Sequence, residues 1–315
     1  MIFKQALLFV VSQFCSDDIP DLSGQVIIVT GGNAGLGYET IRQLGRRNPA
    51  RIYLGARSLK KAEKALSDLR QDNPKICPIK FLEIDLASFG SIKAAASTFL
   101  GQETRLDILI NNAGIMMVPE GLTTDGYEIQ FGTNVLGTAL LTQLLLPILR
   151  STVRVNPQTR FVVVCSAAHA RAPKDAYDNF QEFRTTAAHR HTTARYTISK
   201  LADVHFAKAL SERIQDLKII PVHPGMVATN LHDASTGFFL KPFLNIAIGL
   251  FATPPEKGAL SQIWASVSSD AKTGEYYGPV GKAEAGSNLA QNHGLQEKVF
   301  HYIQTQLKGH VETLS

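Results

Sequence analysis

A chain of 315 residues with 44% hydrophobic content can bury a full core, as one large domain or two small ones. Its 32 basic and 27 acidic residues are interspersed, giving a net charge of +5 with no basic block, which argues against a nucleic-acid partner. Three cysteines (Cys15, Cys77 and Cys165) without a Cys-x-x-Cys spacing argue against a disulfide framework or thiolate metal site and fit a reducing, cytoplasmic setting. The nine histidines show no ligand spacing, so no metal is assigned.

Residues 1–21 read as an N-terminal extension. Its apolar stretch, Ala6 to Val11, is too short to span a bilayer and is expected to pack on the body or lie on a membrane surface. Gln25 to Thr30 is a short β-branched run bounded by Gly24 and Gly31, the pattern of a buried strand. Gly31, Gly35 and Gly37 follow, then a helical spacing of Ile41 and Leu44. Strand, glycine turn and helix in that order make an anion site, because the helix start offers free N–H groups and missing side chains let a pyrophosphate approach.

A second strand is predicted over Arg51–Leu54, and Arg57 stands just past it. An acid at that place would accept from ribose hydroxyls; an arginine can hold a 2′-phosphate instead. No acid occurs from Gly55 to Lys61. Further strands are predicted at Ile79–Ile84, Leu106–Ile110, Phe161–Cys165, Lys218–Val222 and, more weakly, Glu275–Gly278, with helical segments such as Lys61–Leu69 and Ser91–Phe99 between them. Without a linker or repeat, this alternation predicts one α/β domain over 22–315, a doubly wound parallel sheet with helices on both faces. Ligands of such sheets collect at the carboxyl ends of the strands, where Gly31, Arg57, Asn111, Ser166 and Pro224 fall.

Tyr196 and Lys200 lie four apart, on one face of a helix. A free tyrosine has a pKa of about 10, too high for proton exchange near neutrality. An ammonium one turn away in a partly dry site favours the phenolate, so the pair reads as a general acid/base.

With the glycine turn and this pair in one chain, the sequence resembles the short-chain dehydrogenase/reductase family over roughly residues 22 to 282. It is most similar to retinol-dehydrogenase-like and fungal light-induced alcohol-dehydrogenase-like members. Besides the Thr30–Gly37 turn, the matching motifs are Asp85 in Glu83-Ile84-Asp85-Leu86, the run Asn111-Asn112-Ala113-Gly114, Asn134, Ser166 and the loop from Pro224 to Asn230. The resemblance implies a Rossmann-type sheet of about seven strands in the order 3-2-1-4-5-6-7. It implies Asn134, Ser166, Tyr196 and Lys200 as catalytic residues. It implies cofactor contacts from Gly31, Asn33, Gly35, Leu36, Gly37, Arg57, Asp85, Leu86, Asn112, Ala113, Gly114, Tyr196, Lys200, Pro224, Gly225, Val227 and Thr229.

Two departures bear on substrate. Ser166 and Tyr196 stand farther apart than in simple family members, and the extra residues, within 167–195, contain His169, Tyr177, Phe180, Phe183 and His189-Arg190-His191. They read either as a loop over the cleft or as a passive excursion. The region 230–257, the substrate lid of the family, includes the apolar stretch Gly237–Phe251. As a helix its 15 residues reach about 22 Å, short of a ~30 Å bilayer core. A lid over an apolar substrate, a peripheral membrane contact and a packing or homodimer face all remain open for it. The expected activity is NADP(H)-dependent interconversion of an alcohol and a carbonyl on a hydrophobic small molecule. The alternatives are a non-redox family member and an NADP(H) sensor.

Overall fold

The computed structural model describes residues 14–227 and 253–314. Its centre is a six-stranded, all-parallel sheet: β1 (Val26–Thr30), β2 (Arg51–Ala56), β3 (Ile79–Glu83), β4 (Ile108–Asn111), β5 (Arg160–Val164) and β6 (Lys218–Val222), ordered β3-β2-β1-β4-β5-β6. The order reverses between β1 and β4, so a crevice opens there at the carboxyl ends of the strands.

β1 shows how the sequence builds the layers. All five of its residues are buried, which is why it reads as a continuous apolar run. Successive side chains point to opposite faces. Val26 and Ile28 join one core, with α3 (Phe89–Leu100), α4 (Ile129–Val153), α5 (Thr192–Arg213) and α7 (His293–Leu307). Ile27 and Val29 join the other, with α1 (Gly35–Leu44), α2 (Leu59–Asp72) and α6 (Leu260–Val267). α4 is long and apolar enough to cross a membrane, but 89% of its apolar window is buried inside the protein, as befits a core helix.

The strand expected at Glu275–Gly278 forms only an isolated bridge, Tyr277 beside Val222. The cause is a mismatch of spacing. Gly274 N donates to Ile219 O and Tyr277 N to Pro221 O, so three steps on one segment face two on β6. The extra residue breaks the ladder as a bulge does. Among the described residues the sheet therefore has six strands, not seven.

Two local features shape the elements around the crevice. Within α4, Gly132–Gly137 is a π-helical turn, a widening common at functional sites, and it carries Asn134. At the start of β5, the buried Arg160 guanidinium donates to Ala265 O at 3.2 Å and Ser268 O at 2.8 Å, the last carbonyls of α6. A cation suits that negative helix end. Burial lowers Arg160 to about 10, so it stays charged near neutrality and fixes α6 beside the sheet.

Candidate active site

The turn from β1 into α1 is shaped by what its glycines lack. Gly31 and Gly35 have φ of +68° and +54°, in the left-handed region that favours glycine. A Cβ on Gly37 would overlap the Gly31 carbonyl and stand 2.6 Å from Asn112 Nδ2. The turn thus lies directly against the end of β4. Thr30 Oγ1 accepts from the backbone N–H of Asn112 and of Ala113, each at 3.0 Å, and Asn112 Nδ2 donates to Thr30 O at 2.8 Å. α1 starts at Gly35 behind Ala34, whose side chain offers no cap. Its opening N–H groups and the bare glycine surface fit a pyrophosphate. Asn33 lies in the turn, half-buried.

The other positions expected to contact a cofactor follow the carboxyl ends of the neighbouring strands. Arg57 is exposed just past β2, with Lys60 and Lys61 exposed nearby, while Ser58 caps α2 by accepting from Lys61 N. Asp85 Oδ1 accepts from Ala87 N at 2.9 Å. Leu86 is buried, its carbonyl so close to Gly137 that a Cβ there would overlap it. Pro224, Gly225 and Val227 follow β6 on the cleft wall. Thr229, and residues 230–252 of the expected lid, lie outside the described residues.

Tyr196 and Lys200 both lie on α5 and are buried. Ser166 follows β5, its Oγ accepting from Ala168 N at 3.2 Å. Lys200 Nζ donates to Val164 O at 3.1 Å and to Asp203 Oδ2 at 2.8 Å. Asn134 accepts from Ile115 N at 2.8 Å and donates to Ile115 O at 2.9 Å and Ser199 Oγ at 3.0 Å. Ser199 Oγ donates in turn to Tyr196 O at 2.8 Å. A Cβ on Gly114 would stand 3.3 Å from Asn134 Oδ1 and 3.7 Å from Lys200 Nζ, so all three meet in one corner.

Ser166, Tyr196 and Lys200 open onto a cleft of about 360 Å³, together with Leu36, Asn112, Gly114, Pro224, Gly225 and Val227. Ile115, Met116, Met117, Val164, Cys165, Ala167, Ala168, Arg171 and Met226 supply the rest of its lining among the described residues. The excursion after Ser166 contributes only Ala167, Ala168 and Arg171 to this wall. Its aromatics turn to the core: Phe183 stacks on Phe131 at 4.0 Å and Phe180 on Tyr302 at 4.4 Å. His189 and Arg190 pair with Glu182 at 2.9 and 2.6 Å, and His191 caps α5. That cluster serves the excursion's own packing. At the surface, Glu212, His293 and Glu297 bring ligand atoms within 4.8 Å of one another, but Glu297 already pairs with Arg213 at 2.6 Å.

Comparison with known proteins agrees with this geometry. A family model described as short chain dehydrogenase matches residues 25–176. A short-chain dehydrogenase/reductase of Armillaria gallica is 35% identical over 93% of this chain and 93% of its own. The chain belongs to the short-chain dehydrogenase/reductase family. Retinol dehydrogenase 14 of Mus musculus is 34% identical over 82% of this chain and 78% of that one. This short-chain dehydrogenase/reductase therefore belongs to a family of oxidoreductases. An uncharacterized protein from Mycobacterium paratuberculosis superposes with a TM-score of 0.74 at 26% identity, over 96% of this chain and 100% of its own. The Pseudomonas aeruginosa RhlG/NADP active-site complex has a TM-score of 0.64 at 22% identity, over 82% and 96%, a likeness of fold.

Three residues of this family member were missed by the sequence reading. Gln262 on α6 is fully buried and donates to Thr40 Oγ1 at 2.6 Å and Asn112 Oδ1 at 3.2 Å. It holds Asn112 from the side opposite Thr30, across 150 positions of chain, and nothing local announces it. Ser199 links Asn134 to the Tyr196 backbone. Asp203, one turn past Lys200, is legible as an i, i+3 ion pair.

Proposed function

We propose that the protein is an NADP(H)-dependent oxidoreductase that interconverts an alcohol and a carbonyl on an apolar small molecule. The observation that carries this reading is the convergence of Ser166, Tyr196 and Lys200 on one cleft that also reaches the glycine turn through Leu36 and Asn112. A phenol, a hydroxyl and an ammonium at one wall can bind and protonate a carbonyl oxygen. Met116, Met117 and Met226 beside them suit an apolar, variable partner surface. Retinol, the alcohol named in some relatives, is of that chemical kind.

The Gly31–Gly37 turn would hold the pyrophosphate. Arg57, with Lys60 and Lys61, would hold a 2′-phosphate, since a guanidinium binds phosphate in a bidentate manner. Asp85, Leu86, Ala113, Pro224, Gly225, Val227 and Thr229 would line the remainder of the cofactor. When bound, the cofactor supplies or accepts the hydride. Ser166 Oγ and the Tyr196 hydroxyl hydrogen-bond the reacting oxygen. Tyr196 gives that oxygen its proton in reduction and takes it back in oxidation. Lys200 would favour the phenolate that results and would hold the ribose next to the nicotinamide. Asn134 positions a water that connects Lys200 to solvent.

The test is loss of NADPH absorbance against a panel of aromatic, isoprenoid and steroid aldehydes and ketones, with the product identified. The expected result is stoichiometric formation of an alcohol from at least one apolar carbonyl. Tight NADPH binding with no reduced product from any of the three classes would sink the reading.

A further inference from the structure

Lys200 is held by a partner that the reaction scheme above does not use. Its Nζ donates to Asp203 Oδ2 at 2.8 Å, and the two side chains are only 8% and 4% exposed. Among the described residues Lys200 is the one hydrogen-bond partner of that carboxylate. Asp203 does not line the cleft, so it reaches bound molecules only through Lys200.

The surroundings leave this pair alone electrically. From the end of β5, Cys165 faces both members, and burial holds its thiol above the usual range. From the excursion, Tyr177 faces Asp203 and is likewise kept protonated by burial. Tyr276 faces Cys165 and Tyr196 and is raised by burial too. Lys208, farther along α5, acts on Cys165. Burial is the largest influence on Lys200 and would lower it, but the Asp203 charge, the Asp203 hydrogen bond and the neighbouring Tyr196 and Cys165 together outweigh it and hold the ammonium above the usual lysine range. Burial pushes the Asp203 carboxyl up to about 6 against the pull of Lys200. Near neutrality both are charged.

A lone ammonium would act on a Tyr196 phenolate with its full field. An ammonium in contact with a carboxylate acts with less, because the two charges partly cancel at a distance. We propose that Asp203 is a positioning residue for the reaction: its carboxylate fixes Lys200 Nζ against β5 and limits how strongly that ammonium favours the Tyr196 phenolate. The inference rests on the reading of Tyr196 as the acid/base group.

Asp203→Asn keeps the shape and an acceptor oxygen but removes the charge; Asp203→Ser is a second neutral variant should the first not fold. Phenolate absorbance titration, with the Tyr196→Phe protein subtracted, follows Tyr196 whether or not the enzyme turns over. The expected midpoint in the neutral variants lies about one pH unit below wild type. The acid limb of kcat/KM for alcohol oxidation should move with it, and Asp203→Glu should restore both. In a Lys200→Met background Asp203→Asn should move the midpoint much less, because without the ammonium burial keeps the Asp203 carboxyl itself protonated and uncharged. An unmoved midpoint with only a lower Tm would overturn the inference and leave Asp203 a structural residue. A shifted midpoint with an unmoved kcat/KM profile would instead remove Tyr196 from the reaction, and Asp203 with it.

Discussion

Thr30 and Asn112 are bonded to each other twice, once through the Thr30 hydroxyl and once through its carbonyl. The pair clamps the end of β1 to the end of β4 where the sheet order reverses. Thr30→Val keeps the volume and removes the acceptor for the Asn112 and Ala113 amides. Leaving such groups unpaired costs about 1–3 kcal/mol. The variant should lose that much stability by urea denaturation and should also bind NADPH more weakly, because the clamp sets the floor under the glycine turn. Unchanged denaturation and unchanged affinity would show that water replaces the hydroxyl without loss.

Tyr196→Phe removes one oxygen from a buried side chain that the cleft exposes at its wall. The expected fall in kcat is about 10²–10⁴-fold, the worth of a positioned acid/base group. NADPH affinity should change little, since the contacts proposed for it lie mainly at the turn and at Arg57. Retention of more than about a tenth of wild-type kcat would mean that another group carries the proton.

The local parts of this site were legible because their geometry is local. Strand, glycine turn and helix are consecutive, and Tyr196 and Lys200 are one helical turn apart. The strands of the sheet were legible as well, except where Glu275–Gly278 carries one residue too many for its neighbour. What the sequence hid is what packing decides. Gln262 meets Asn112 only where α6 packs on the sheet, through Ile263 and Trp264 and with its end held by Arg160. The aromatics after Ser166 suggested a cleft loop, yet Phe180 stacks on Tyr302 from the far end of the chain. Asp203 was visible by spacing, but only the closing of β5 and the excursion over it makes the pair buried and hence consequential.

Arg57→Asp should reverse the coenzyme preference. The substitution removes a phosphate partner and adds a charge that repels the 2′-phosphate, so lost attraction and new repulsion act in the same direction. Arg57 is exposed, so folding should be little affected. The measurement is kcat/KM for NADPH and NADH in both proteins. An unaltered ratio would assign the phosphate to Lys60, Lys61 or another group.

His205 should govern part of the acid sensitivity of the fold. Its Nε2 lies 3.0 Å from the Leu289 carbonyl and its Nδ1 3.2 Å from the Tyr177 hydroxyl. A carbonyl only accepts, so Nε2 carries the proton and neutral Nδ1 accepts from Tyr177. Burial lowers His205 from the usual 6.5 to about 4. Between those values the unfolded chain takes up a proton that the folded chain refuses. Stability supplied by this site is therefore present above pH 6.5 and is lost as pH falls toward 4. His169, also lowered by burial, adds to the loss. Asp203 opposes it, because a carboxyl raised to about 6 binds its proton first in the folded state. His205→Gln removes the first of these contributions. The variant should start less stable at pH 7, having lost a fitted hydrogen-bond pair. Its further loss between pH 7 and pH 5 should be smaller than that of wild type by on the order of 1–2 kcal/mol. Urea denaturation of both proteins at the two pH values makes the comparison, and equal losses would place the acid sensitivity elsewhere.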